Sequence, residues 1–252
     1  MNLDAPAKRA VFRKLHESGH FILPNPWDIG GVRRLEKLGF KALASTSAGA
    51  AWALGKEDGQ LTLTEALDHL RLLCAATDLP VNADFEAGFA DSPEGVAANV
   101  TLAIDTGVAG LSIEDWSGQE IYSLPLAVER IQAARAAIDA SGQDVLLIGR
   151  AEGYRIDKAP IRETIERLTA YADAGADVLY APWLVDLDEV KAVVEAVAPK
   201  PLNVLLHHPG VKVAELAAVG VRRFSVGARL ASYAWAAFEA AAVSVRDEGH
   251  LP

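Results

Sequence analysis

The stretch Thr106-Gly107-Val108-Ala109-Gly110-Leu111-Ser112-Ile113-Glu114 contains a helix end, a glycine, a short apolar strand and a terminal carboxylate. The same joint recurs at Leu38-Gly39-Phe40, Ala174-Gly175-Ala176 and Val219-Gly220-Val221. In each, a glycine stands where a helix ends in the left-handed conformation just before a buried strand. Working outward from these joints, apolar β-rich runs fall at 20–25, 41–45, 80–85, 109–114, 145–150, 177–181, 202–206 and 222–226. Helical spacing of apolar residues fills 64–77, 92–106, 124–140, 159–174 and 186–197, each opening near Thr, Ser, Pro or Asp. Eight βα units in about 250 residues suit a closed parallel barrel better than an open doubly wound sheet. The expected fold is therefore α/β, a (β/α)8 TIM-type barrel. No Pro/Ser-rich linker divides the chain, so residues 1–252 are expected to form one domain.

Composition narrows the function classes. Lys and Arg number 24 against 34 Asp and Glu, a net charge of −10, which repels phosphate backbones and anionic headgroups. Nucleic acid and membrane surfaces are not expected partners. The lone Cys74 cannot form an intramolecular disulfide and reads as buried filler. Charges in the stretch from Met1 to Ala10 stand where a secretory signal would need an apolar core, so a cytoplasmic protein is expected.

In a barrel of this type the chemistry sits at the C-terminal ends of the strands. That filter returns Asn25, Trp27 and Asp28 after the first strand and Ser45, Thr46 and Ser47 after the second. Asp84 and Glu86 follow from the third, Glu114 and Asp115 from the fourth, and Arg150 and Glu152 from the fifth. Asn203 lies in the seventh strand, with His207 and His208 at its end, and Ser225 with Gly227 closes the eighth. In an extended chain the spacing of two puts Asp84 and Glu86 on one face, where Glu114 can join them. Oxygen donors without clustered thiolates suit a hard cation, Mg²⁺ or alternatively Mn²⁺. The competing reading pairs Asp84 and Glu86 with Arg150 in a buried ionic network. The segment 45–50 is small and hydroxyl-bearing, suited to a substrate carboxylate or phosphonate or simply to a turn before a helix. Polar, glycine-flanked Leu54-Gly55-Lys56-Glu57-Asp58-Gly59 reads as a lid that carries Asp58 to the substrate. Adjacent His207 and His208 would face opposite sides of a strand, so at most one reaches the site. Trp27, Trp52 and Trp183 are candidates to narrow the pocket.

The collinear motifs resemble the isocitrate lyase/phosphoenolpyruvate mutase superfamily. Asp84-Phe85-Glu86-Ala87-Gly88-Phe89 is similar to its Asp-Ala-Asp-Thr-Gly-Tyr metal motif, with Glu in place of the second Asp. The strand 110–115 resembles the one that ends in Glu-Asp, and 148–152 the Ala-Arg-x-Glu strand. The resemblance implies a Mg²⁺-dependent, phosphoenolpyruvate mutase-like barrel acting on a small 2-oxo or 2-hydroxy (di)carboxylic acid through a metal-stabilised enolate. By the same resemblance Asp84, Glu86 and Glu114 hold the metal, Arg150 neutralises the oxyanion, and Thr46, Ser47 and Ala48 fix the carboxylate. Trp27 and Asn203 complete the expected substrate site, with Asp58 or Tyr122 as the proton-transfer group. It also implies a homodimer or homotetramer, with a C-terminal helix at 230–245 that is swapped between subunits or caps its own barrel.

Two departures bear on the reaction. The isocitrate and methylisocitrate lyases carry Lys-Cys-Gly-His after the Glu-Asp strand end, where this chain has Trp116-Ser117-Gly118-Gln119-Glu120-Ile121-Tyr122-Ser123. Phosphonopyruvate-processing members carry a histidine after the sixth strand, where this chain has Tyr180-Ala181-Pro182-Trp183. The expectation is a carbon–carbon lyase or decarboxylase. The alternatives are a P–C hydrolase or mutase, and a non-catalytic 2-oxo acid binding protein.

Overall fold

A computed structural model describes residues 3–252, so Met1 and Asn2 of the charged N-terminal stretch lie outside the described residues. Among the described residues, eight strands alternate with helices. They are β1 (Phe21–Leu23), β2 (Leu43–Ala44), β3 (Val81–Asp84), β4 (Gly110–Glu114), β5 (Leu146–Arg150), β6 (Val178–Tyr180), β7 (Leu202–Leu205) and β8 (Arg223–Ser225). All pairings are parallel, in the order β1-β8-β7-β6-β5-β4-β3-β2. The remaining seam, between β1 and β2, is bridged by Ala44 N donating to Pro24 O at 3.0 Å and Asn25 Nδ2 donating to Ser45 O at 2.7 Å. All eight expected strands are present, each trimmed at one or both ends where the chain turns into loops.

The helices are α1 (Ala5–Leu15), α2 (Ile29–Lys37), α3 (Ser47–Ala53), α4 (Leu63–Ala75), α5 (Pro93–Ile104), α6 (Leu124–Ser141), α7 (Gly153–Ile156), α8 (Ile161–Asp173), α9 (Leu187–Val197), α10 (Val213–Ala218) and α11 (Arg229–Glu248). Their starts follow side-chain chemistry: Asp28, Thr46, Thr62, Ser92 and Asp186 each accept an orphan first-turn amide. Gly39, Gly107, Gly175 and Gly220 end α2, α5, α8 and α10 with φ between +86° and +104°. At Gly175 a Cβ would also stand 2.7 Å from Arg135 Cγ.

Alternation along the strands separates two cores. Leu111, Leu147, Leu179, Val204 and Phe224 point outward into the large cluster under the helices. Phe21, Leu23, Ala44, Leu146, Ile148 and Val178 point inward and pack with Phe12 of α1. Helix α1 stoppers the N-terminal mouth: Lys8 Nζ donates to the carbonyls of Cys74 and Thr77, and Arg9 to those of Val108 and Ile104. Cys74 is buried, and burial pushes its thiol up to about 12. Among the described residues no helix is long and apolar enough to cross a membrane.

Candidate active site

Toward the C-terminal ends of the strands the barrel interior turns polar. Arg150, the last residue of β5, sits among carboxylates: its Nη1 is 3.1 Å from Asp84 Oδ1 and 3.2 Å from Glu114 Oε2, and its Nε donates to Glu152. Burial lowers its pKa, but Glu114, Glu152, Tyr180 and Asp84 outweigh this and leave it raised. Glu152 is fully buried and also accepts from Arg155 Nε of α7, so one carboxylate fixes two guanidinium groups. Behind it, buried Asp115 accepts from Glu152 N at 2.7 Å and from Tyr171 Oη at 2.6 Å. The Glu114-Asp115 pair thus divides its work, Glu114 facing the cavity and Asp115 locking the loop that carries Glu152.

Asp84 is held from the other side. Its Oδ2 accepts both the amide and the hydroxyl of Ser47 at 2.9 Å, and its own amide takes Ser45 Oγ at 2.8 Å. The Ser47 amide is therefore directed at a carboxylate of the chain itself. Thr46 is buried, and its hydroxyl caps α3 through Gly49 N at 3.3 Å.

The expectation that Asp84 and Glu86 share the face of an extended chain is corrected. Strand β3 ends at Asp84, and Glu86 has φ +47°, in the left-handed region. The turn nevertheless brings Glu86 to the site, with Oε1 buried and unpartnered. Burial, then Asp84 and Asp58, push its pKa up to about 7 against Arg150. Burial likewise raises Glu114, opposed chiefly by Arg150. Asp58 stands on an exposed loop yet lines the cavity; desolvation and then Asp84 raise its pKa, with Arg150 and Arg155 opposing.

The cavity has two lobes. One, of about 270 Å³, runs from Thr46, Ala48, Trp52 and Asp84 down to Asn203, Arg223 and Ser225. The other, of about 340 Å³, is lined by Glu86, Glu114, Trp116 and Gly118. Ser47, Asp58, Arg150 and Arg155 wall both. Where the lobes meet, Asp58, Asp84, Glu86 and Glu114 gather around Arg150 and Arg155, while Arg223 and Arg229 line the first lobe. Among the described residues no three His, Cys, Asp or Glu side chains come close enough together to enclose an ion. Direct ligation would then use one or two carboxylates with waters, the habit of Mg²⁺. The oxygen-only donors and the orphaned Glu86 oxygen fit such a cation.

Two sequence candidates are not brought to this group. Tyr122 is buried in the outer core, its hydroxyl donating to Asp91 and its ring under Arg130. Its strand-end loop folds back through the Trp116–Ile121 bridge, which turns the ring away. Trp27 packs beside Gly49 instead, its Cβ 2.9 Å from where a Gly49 Cβ would stand. Trp183, with φ +71°, does line the first lobe and stacks on His207 at 4.6 Å. His207 also lines a neighbouring pocket together with His208; because β7 ends at Leu205, both histidines stand on a loop and strand alternation does not apply to them. Arg155 and Arg223 were missed at the sequence level. For Arg223 a signal existed, since of the adjacent Arg222 and Arg223 in one strand one must face inward.

A profile of the phosphoenolpyruvate phosphomutase family matches residues 12–246. The chain belongs to this family. It is thereby a member of the isocitrate lyase/phosphoenolpyruvate mutase superfamily, and its barrel is of the phosphoenolpyruvate mutase type. A lyase/mutase-type protein from Burkholderia cenocepacia J2315 superposes with TM-score 0.95 at 45% identity, over 98% of this chain and 91% of that one. Oxaloacetate acetylhydrolase, in a structure with its product oxalate, superposes at 0.89 with 29% identity, over 99% and 89%. The 2,3-dimethylmalate lyase of Eubacterium barkeri is 31% identical over 79% of this chain and 72% of its own length. Other family relatives bear the names 2-methylisocitrate lyase and oxaloacetate decarboxylase. The named relatives are thus lyases, decarboxylases and a hydrolase of small carboxylic acids.

Proposed function

We propose that this family member is a divalent-metal-dependent carbon–carbon lyase or decarboxylase of a small 2-oxo or 2-hydroxy dicarboxylic acid, acting through an enolate. The observation that carries the reading is Arg150, held where both lobes meet by three carboxylates on three different loops or strands. Such a guanidinium is oriented before substrate arrives and costs no reorganisation when negative charge develops on the enolate oxygen. Mg²⁺ or Mn²⁺, held by Asp84, Glu86 and Glu114 directly or through water, would supply Lewis-acid polarisation of the 2-oxygen. Thr46, Ser47 and Ala48 at the start of α3 are the proposed seat of the substrate carboxylate. Asp58, whose pKa is raised by burial and then by Asp84, is the proposed proton donor to the enolate carbon. The loop 116–123 contains no Cys, His or Lys, which argues against the thiol-acid chemistry of the methylisocitrate type. Tyr233 and Phe238 of α11, 66% and 65% exposed, support assembly as a homodimer or homotetramer through that helix.

Thermal unfolding with Mg²⁺, with oxalate, and with both tests the site, because oxalate mimics the enolate of pyruvate in charge and bite. At about 100 times Kd, linkage gives roughly 2.7 kcal/mol, or about 5–10 °C for a chain of this size. The expected result is a shift of that order only with both ligands, lost in Asp84→Asn and in Glu86→Gln. Equal shifts in wild type and both variants would overturn the assignment.

A further inference from the structure

Among the described residues one buried cation, Arg223, has no carboxylate paired with it. Side chains that face into the barrel form a continuous row through the strand register: Glu114 pairs with Arg150, Arg150 with Tyr180, Tyr180 with Asn203, and Asn203 with Arg223. Strands about 4.8 Å apart and tilted about 36° make such a row sink by about 3 Å per strand. It starts at the last residues of β4 and β5 and reaches the first residue of β8, so Arg223 lies roughly 8 Å deeper than Arg150 by the same spacing and tilt. Its guanidinium lines the floor of the first lobe and is 3% exposed, 5.9 Å from the Phe12 ring.

The other deeply buried cations are accounted for. Lys8, Arg9 and Arg130 donate to backbone carbonyls, and Arg150 and Arg167 pair with carboxylates. Arg223 donates Nε to Asn203 Oδ1 at 3.0 Å, its Nη1 has no partner, and among the described residues it forms no ion pair with Asp or Glu. The Asn203 amide is itself fixed, since its Nδ2 donates to Ser225 Oγ at 3.0 Å. Asn203 therefore steadies Arg223 while lining the same lobe. Nearby His16 is no counter-charge, since an imidazole is neutral or cationic, and burial and then Arg223 lower its pKa. Burial pulls Arg223 itself down only to about 9, which leaves it cationic at neutral pH.

We propose that Arg223 is a carboxylate seat at the floor of the active-site cavity, taking the distal carboxylate of a diacid whose 2-oxo end lies at Arg150. This deepens the proposed function and rests on its placement of the substrate in the first lobe. It makes the chain selective for diacids over monoacids of equal length. Asn203 is a positioning residue for this seat, and Ser225 orients Asn203.

Binding in the presence of Mg²⁺ tests it with three probes: oxalate, which is too short to reach the floor, 2-oxoglutarate, and 2-oxopentanoate, which has the same carbon chain without the distal carboxylate. Wild type is expected to prefer 2-oxoglutarate at least tenfold, as befits a charge-assisted pair in a buried site. Arg223→Met should erase that preference while oxalate stays within twofold; Arg223→Lys, which keeps the charge without the fork, should retain part of it. No preference in wild type, or a preference that survives in Arg223→Met, overturns the seat. Should Arg223→Met fail to fold, the comparison of wild type with Arg223→Lys still decides, an unchanged preference counting against the fork. Arg223-dependent binding of 2-oxoglutarate without any metal-dependent oxalate binding would keep the seat and sink the metal–enolate reading. Binding of none of the probes overturns both.

Discussion

Arg150 illustrates how one residue is specified by its neighbours. Its planar fork meets Asp84, Glu114 and Glu152 together, a geometry an ammonium group cannot reproduce. In Arg150→Lys, kcat is expected to fall by about 10²–10³ while the fold survives, measured by turnover once a substrate is in hand. His16 offers a separate test on stability. Its Nδ1 bonds Phe12 O at 2.8 Å and its ring packs edge-on against Phe12 and Phe21. Because Phe12 O is only an acceptor, Nδ1 carries the ring proton. Burial first, and then Arg223, hold the pKa at about 3. The folded pKa lies below the unfolded value near 6.5, so below pH 6.5 the unfolded chain binds a proton that the folded chain refuses. This contribution is complete above pH 6.5 and is lost as pH falls toward 3, about 2 kcal/mol of it by pH 5. Urea unfolding at pH 5 and pH 7 should show that loss in wild type, and His16→Leu should flatten it by about the same amount.

At the scale of elements, the α-Gly-β joint explains why the strands were legible. Each joint needs a left-handed residue, and the buried run after it needs apolar side chains, so both leave marks in the sequence. Gly175→Ala combines a φ of +104° with a Cβ 2.7 Å from Arg135 Cγ. It should cost about 2 kcal/mol and lower Tm by about 4–8 °C, checked by calorimetry. The site was legible wherever a charged residue closes a strand, as with Asp84, Glu114 and Arg150. It was illegible where a loop decides direction. Nothing local to Tyr122 reveals that the Trp116–Ile121 bridge turns it toward Asp91, and the left-handed Glu86 breaks the alternation on which its placement was argued. Asp115 meets Glu152 only through a contact between the loops after β4 and β5, which spacing along one element does not encode, whereas Glu152 and Arg155 are a local pair three residues apart.

For the whole molecule, α11 is the element least absorbed by its own barrel: of its 20 residues only Ala231 is buried. Tyr233 and Phe238 stand largely exposed, and Trp235 packs edge-on against Phe238. Tyr233→Glu with Phe238→Lys is expected to halve the sedimenting mass or reduce it further, without unfolding the barrel, as read by analytical ultracentrifugation with circular dichroism. An unchanged mass would place any assembly elsewhere on the surface.

The stopper at the opposite mouth has a consequence for how the protein comes into being. Lys8 and Arg9 of α1 dock on carbonyls 66 to 99 residues further along the chain, and Arg13 pairs with Asp144. During vectorial synthesis this helix emerges before any of its acceptors exist. It must wait, amphipathic and unpartnered, until more than half of the barrel has been made. Seating α1 is thus a late step in biogenesis. A fusion or tag that encumbers the N-terminus would act on the yield of folded protein, while an active site at the far end of the barrel, once formed, would keep its geometry.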